Sequence, residues 1–346
     1  MKNKSIVKIL QKNQISWIDS AKAICMLLVY VNHCEFYANG DFFNIRPFYR
    51  LFFVNLFFFV SGYLFFRKQL SIPVVVENRR EYLKGTGLQT FRNIIYRIFL
   101  PTIIFGFIFF FPKMIVRGSG FDFSYFFKDV ILGNWCWFTS TLFVTELLLV
   151  IMLSSRIKSI YFYLFATIAL WVIVERISHE SNYIWHWQSG IMASSMLVGG
   201  GIFWLYEDKI DKVFNNYYII IFLLILYLWV VYFSGWQMKW FVSDFNFTFW
   251  GLVFSIIACI LMIYICKRIP KTEWFSFIGK NSLVFYMLCG GYPNIMAILC
   301  QKISCNTTLN VVLSTTISVL LAYVTTFFIN KYIPFLVDLR KVRMTK

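Results

Sequence analysis

The sequence predicts an all-α integral membrane protein of about ten transmembrane helices, with both termini cytoplasmic. Three observations predict it. Of 346 residues, 59% are hydrophobic and 14% charged, against about 25% charged in a soluble globular chain. Apolar runs of about 20 residues, the length that crosses a bilayer as a helix, recur along the whole chain. The basic residues, finally, fall unequally on the two sides of those runs, as they do in membrane proteins.

Ten runs are expected to span: 17–36, 48–66, 94–111, 134–153, 160–174, 189–206, 217–234, 248–266, 282–300 and 310–330. The first follows a basic start (Lys2, Lys4, Lys8, Lys12) but has no small-residue cleavage site and contains Lys22. It is therefore read as a helix that stays and not as a removed signal peptide. Residues 1–16 form a cytoplasmic N-terminal segment and 331–346 a cytoplasmic tail, so 1–346 is read as a single multi-span domain. The stretch "KMIVRGSGFDFSYFFKDVILG" (113–133) is amphipathic and too charged to span, and is expected along the outer face.

Orientation follows from charge. With the N-terminus inside, only Arg46, Arg50, Lys113, Arg117, Lys128, Arg176, Lys239 and Lys302 of the 33 Lys and Arg lie on the outer side. Lys22 lies within the first helix, and all the others face the cytoplasm. The +17 net charge is thus accounted for by topology, and no nucleic-acid partner is called for. The eight cysteines form no CxxC and no Cys-His metal spacing. Most lie inside apolar runs, where Cys behaves as a small hydrophobe, so no metal and no disulfide framework is expected. Trp135, Trp137, Trp185, Trp187, Trp236 and Trp240 fall near span ends, where an interfacial belt is expected.

The first helix, "IDSAKAICMLLVYVNHC" (18–34), carries Asp19, Lys22 and His33 in an otherwise apolar run. Ionisable groups are costly there and mark functional positions. At about 100° per residue, Lys22 and His33 are only about 20° apart around the axis, and Asp19 lies about 40° to the other side of His33. The two ends of this polar stripe, Lys22 and His33, are about 16 Å apart along the axis, roughly half a bilayer. A structural reading is open: Asp19 pairs with Lys22 at i, i+3, and His33 caps the outer end. A histidine inside a span more often faces an aqueous cavity and serves proton chemistry. Two further stretches join it. "FFFVSGYLFFR" (57–67) ends the second run with Ser61 and Gly62, small enough for close helix approach, and with Arg67 at the membrane edge. "NWCWFTSTLFVTELL" places Glu146 inside the fourth span, where a buried carboxylate needs a partner; the stripe on the first helix is one candidate.

With a Lys-x10-His motif preceded by Asp on the first helix, then "FFFVSGYLF" on the second, the chain resembles the membrane acyltransferase 3 family. The lysine form is most similar to its fucose 4-O-acetylase-like and polysaccharide O-acetyltransferase branch. "RNIIYRIFLP" (Arg92, Arg97, Pro101), "NWCWFTSTLF" and "FIGKNSLVFYML" (Gly279, Asn281, Ser282) follow in order, so the resemblance covers essentially the whole chain. Two positions depart from it: Asn55 stands where the family often has Pro, and Cys289 where "GKNSLxxYxL" would be followed by His. The resemblance implies transfer of an acyl group, usually acetyl from cytoplasmic acetyl-CoA, to a sugar hydroxyl of a cell-envelope, capsular or exopolysaccharide glycan. Acetyl-CoA is then a substrate, with no bound cofactor, and the protein is a multi-pass resident of the cell membrane, the bacterial inner or plasma membrane.

Within that expectation His33, Lys22 and Asp19 are the catalytic candidates. Arg67 and Arg97 are candidates for donor phosphates, which charged hydrogen bonds hold well, although both also fit ordinary cytoplasmic flanking. Ser61, Gly62 and Glu146 are supporting candidates. A multi-span transporter or flippase for a lipid-linked glycan would share the span count. It would place intramembrane charges at corresponding points of two halves, whereas here they gather on the first helices and no internal repeat stands out. A structural subunit of a glycan-export complex is the third reading.

Overall fold

The computed structural model describes residues 15–40, 42–70, 82–117, 120–155, 157, 159–177, 184–233, 249–303 and 306–337. Most of the expected N-terminal segment and of the tail lie outside the described residues, as do Trp236 and Trp240. Among the described residues the chain is helical and contains no strand. The main helices are α1 (Ser16–Ala38), α2 (Asn55–Leu70), α3 (Leu88–Ile94), α4 (Leu100–Arg117), α5 (Trp137–Leu153), α6 (Ile160–Ile177) and α7 (Trp187–Phe214). Then follow α8 (Tyr217–Phe233), α9 (Phe249–Arg268), α10 (Glu273–Lys280), α11 (Ser282–Leu288), α12 (Tyr292–Ile303) and α13 (Thr307–Tyr332).

Each expected run falls on a helix, but fewer meet the length and apolarity of a span. Among the described residues six segments do: Arg46–Gln69, Lys84–Pro112, Asn134–Leu153, Ile184–Phe214, Trp250–Arg268 and Thr307–Tyr332. A seventh is the pair α11 and α12, bent by 50°. The expected straight ninth span is therefore broken, at Cys289–Gly290–Gly291, where two successive glycines disfavour helix. The remaining three runs are α1, α6 and α8. At 23 residues, α1 is about 34 Å long, ample to span, and it is set apart by its polar residues.

Two other expectations change in detail. The third run is longer than 94–111: α3 and α4 are joined by a wide turn over Ile95–Phe99 and the helix continues to Arg117. The stretch 113–133 is not one amphipathic element. Its start completes α4, and a separate short helix, Phe123–Phe126, begins where Asp122 accepts the Ser124 and Tyr125 N–H groups. Phe121, Tyr125 and Phe126 then fold back on the ring of Phe110.

The chain divides into two compact units, with boundaries inside α7, at Gly199, and inside α13, at Phe327. The first contains α1, α2, the end of α7, α8 to α12 and most of α13. Its hub is α1, which packs against α2, α9, α10, α11 and α12. Ala21, Ala23, Cys25 and Cys34 are wholly buried along it, and such small side chains let neighbouring helices come close. A helix so enclosed can carry polar groups because protein, not lipid, surrounds it. The second unit contains α3 to α6 and the start of α7. There α5 packs against α3, the turn Ile95–Phe99 and the turn Ile184–His186.

Candidate functional site

In the first unit the three expected polar residues of α1 are placed as follows. Asp19 is buried and accepts a hydrogen bond from Ser276 Oγ at 3.3 Å. This contact needs α10 to lie directly on α1, and Gly279 makes that possible: a Cβ there would stand 2.1 Å from the Asp19 carbonyl oxygen. The glycine of "FIGKNS" is thus a helix-contact residue. Lys22, one turn further on, is half-buried. His33 is half-buried and its ring stacks on Tyr37, 6.1 Å between centroids and 17° between planes. Among the described residues, no side chain lies within hydrogen-bond distance of the imidazole.

On α2, Ser61 and Arg67 are half-buried and Gly62 is buried. The close approach expected there is made by a residue of the partner helix. At Gly200 of α7 a Cβ would stand 1.9 Å from the Phe59 carbonyl oxygen. Asn55, the departure from the family pattern, opens α2 with its amide donating to the Leu51 carbonyl at 2.8 Å and to Ser255 Oγ at 3.2 Å. Cys289 is buried at the bend between α11 and α12.

Two polar clusters in this unit were not read from the sequence. At the end of α2, the Tyr63 hydroxyl donates to Glu207, and Lys267 bridges Glu207 at 2.8 Å and Asp211 at 2.7 Å. Lys267 also lies over the rings of Trp17 and Phe203. The available signal was Glu207 and Asp211, four residues apart and so on one helix face. At the other end of α1, Glu35 is buried and accepts from the Phe42 N–H at 2.9 Å and the Tyr49 hydroxyl at 2.7 Å. Its signal was a carboxylate inside the first span, two residues beyond His33.

In the second unit the two expected residues meet each other. Arg97 Nη2 donates to both oxygens of Glu146, each at 2.7 Å. Glu146 therefore has its partner within this unit, and no contact from the α1 stripe is needed to satisfy it. Glu146 lies nine residues into α5, about 13 Å from the start of the helix. Pro101 lacks the N–H that an α-helix would direct to the Arg97 carbonyl, in keeping with the wide turn at Ile95–Phe99. The motif "NWCWFTSTLF" starts α5: Gly133 is left-handed at φ 74°, its carbonyl accepts from Ser140 Oγ at 2.7 Å, and Trp135 Nε1 donates to the Thr102 carbonyl at 3.1 Å.

The geometry defines a multi-span helical membrane protein in which α1, packed against five other helices, is also polar, with a histidine and a lysine on one stripe. A family model described as an acyltransferase domain matches residues 15–329. The chain belongs to the membrane acyltransferase 3 family. No curated protein and no solved structure matches it.

Proposed function

We propose that the protein is an integral membrane O-acetyltransferase that moves acetyl from cytoplasmic acetyl-CoA to a sugar hydroxyl of a cell-envelope, capsular or exopolysaccharide glycan. The observation that carries this reading is the pairing of Lys22 and His33 on one face of α1, in a chain whose acyltransferase match spans residues 15–329. One family model runs across both compact units, which supports treating them as parts of a single domain. Ten spans, cytoplasmic termini and a place in the bacterial inner or plasma membrane follow from the apolar runs, the asymmetry of basic residues and the family reading.

In this reading the acceptor hydroxyl attacks the thioester carbonyl while His33 takes its proton. The C–S bond then breaks, the proton passes to the departing sulfur, and the products are the sugar acetate and free CoA. A half-buried imidazole with no hydrogen-bond partner among the described residues leaves a ring nitrogen for the acceptor hydroxyl. Lys22, toward the cytoplasmic end of the same face, holds the donor by its charge, and Asp19, tied to Ser276, fixes that end of α1. Arg67 takes a donor phosphate through charge-assisted hydrogen bonds. Within the second unit, Arg97 commits one nitrogen to Glu146, and its half-exposed side chain keeps other N–H groups for an anion.

The test is direct. Purified protein is given radiolabelled acetyl-CoA and surface glycan extracted from cells lacking the gene. Label should appear in alkali-labile ester on the glycan, and the glycan of the deletion strain should carry less O-acetyl than that of the parent. Equal O-acetyl content in both strains, with no label transferred, would refute the assignment.

A further inference from the structure

We infer that Glu35 is a positioning residue that fixes the segment between α1 and α2 as the acceptor-side wall of the His33 site. The inference rests on the acetyltransferase reading above.

Glu35 cannot act on the imidazole itself. Two residues along a helix turn through about 200°, so Glu35 and His33 point to opposite sides of α1. What Glu35 holds is the chain that follows. Its Oε1 accepts from the Phe42 N–H at 2.9 Å, its Oε2 from the Tyr49 hydroxyl at 2.7 Å, and Arg46 Nε lies 4.0 Å from Oε2. The carboxylate is 2% exposed, and a buried carboxylate so supplied with donors is a rigid anchor.

The anchored segment is strained. Asn39, Phe43 and Asn44 all have left-handed backbone, at φ 48°, 54° and 56°, and a bulky side chain such as that of Phe43 rarely adopts it. Strain of this kind persists only where surrounding contacts over-determine the backbone, and it gathers at ligand clamps. The contacts are present. Gly40 lies so close to α13 that a Cβ would be 2.9 Å from Val311, and the Tyr227 hydroxyl donates to the Phe48 carbonyl at 2.6 Å.

A line of contacts leads from the anchor to the histidine. Phe42, whose N–H is held by Glu35, and Tyr37 each pack against the same cluster of Cys34, Ala38, Ala297 and Val311. Tyr37 in turn stacks on the His33 ring. Releasing Glu35 would loosen Phe42, then Tyr37, then the surface against which the imidazole rests. The donor end of α1, held by Ser276 and Gly279, would stay in place.

The experiment measures KM for extracted surface glycan and for acetyl-CoA in wild type and in three variants. Glu35→Ala should raise the glycan KM at least about tenfold and leave the acetyl-CoA KM within about twofold. Glu35→Gln should stay near wild type, because its carbonyl still accepts the Phe42 N–H and its amide can donate to the Tyr49 oxygen. Tyr49→Phe should show the same split as Glu35→Ala at smaller size, and it decides the matter should Glu35→Ala fail to fold. Equal effects on both KM values, no effect, or a Glu35→Gln variant as impaired as Glu35→Ala would each overturn the inference. A wild-type protein that transfers nothing to glycan would refute the acetyltransferase reading and this inference with it; an active wild type with an unaffected Glu35→Ala refutes this inference alone.

Discussion

Arg97 and Glu146 form a one-to-one pair in which a single guanidinium nitrogen reaches both carboxylate oxygens at 2.7 Å. The carboxylate side chain is 3% exposed and the arginine 47%, so the burden of burial falls on Glu146.

The first prediction concerns that asymmetry. Removing one partner of a buried ion pair costs about 3–5 kcal/mol because the other charge is left uncompensated. Here half the pair is open to its surroundings, so the low end of that range or less applies. Arg97→Met should therefore lower the melting temperature of the detergent-solubilised protein, and adding Glu146→Gln should restore much of the loss. Identical melting of single and double variants would show that the pair is not coupled.

Much of this was legible in the sequence, and the reason is physical. Apolar runs are long and one-dimensional, so the helical class and the rough place of the runs could be read directly. Lys22 and His33 were legible because charge inside such a run is rare and helical geometry fixes their shared face. The Arg97–Glu146 contact was half legible: Glu146 announced the need for a partner, but nothing in the spacing of the two runs named Arg97 as that partner. Glu35 and the Glu207 and Asp211 pair left a signal in the sequence, but their partners Phe42, Tyr49, Tyr63 and Lys267 did not, because these come to them only through folding. The bend at Gly290 and Gly291 was hidden for a different reason, since hydropathy averages over the break.

The second prediction tests the two close helix contacts. A Cβ at Gly279 or Gly200 would stand 2.1 Å from the Asp19 carbonyl oxygen or 1.9 Å from that of Phe59, so the backbones must separate. Overpacking typically costs about 1–3 kcal/mol, and backbone against backbone belongs at the upper end. Gly279→Ala and Gly200→Ala should melt well below wild type. Gly290→Ala, where nothing lies within 4 Å, is the control and should not.

Topology gives the third. On the reading that both termini are cytoplasmic, the exposed positions Lys209 and Lys302 should lie on opposite sides of the membrane. In a cysteine-free background, an impermeant maleimide applied to whole cells should label Lys302→Cys and spare Lys209→Cys until the cells are opened. The reverse pattern would invert the orientation and place Lys22 on the outer side.

A fourth separates donor from acceptor. Arg67→Ala should raise the acetyl-CoA KM while the glycan KM holds, since loss of one charged hydrogen bond is worth roughly 1.5–3 kcal/mol, or one to two decades. An acetyl-CoA KM that does not move would leave Arg67 as a cytoplasmic flanking charge that serves only orientation.

The last prediction returns to α1. His33 is half-buried, stacks on Tyr37 and has no hydrogen-bond partner among the described residues. Removing it therefore breaks no internal hydrogen bond among those residues, and taking a polar group out of a span does not oppose insertion. His33→Ala should reach the membrane and melt near wild type. It should nevertheless lose acetyl transfer, because general base catalysis alone contributes about 10²–10⁴ in rate and the chain has only two other histidines, His179 and His186, neither on α1. Lys22→Arg keeps the charge at the donor end of the same face and should retain substantial activity; Lys22→Ala should not. The ordering matters more than any single value: His33→Ala inactive but folded, Lys22→Arg active, Lys22→Ala impaired chiefly in its use of acetyl-CoA. Near wild-type transfer by folded His33→Ala protein would make the imidazole a structural cap on α1 and remove the chemistry proposed for it.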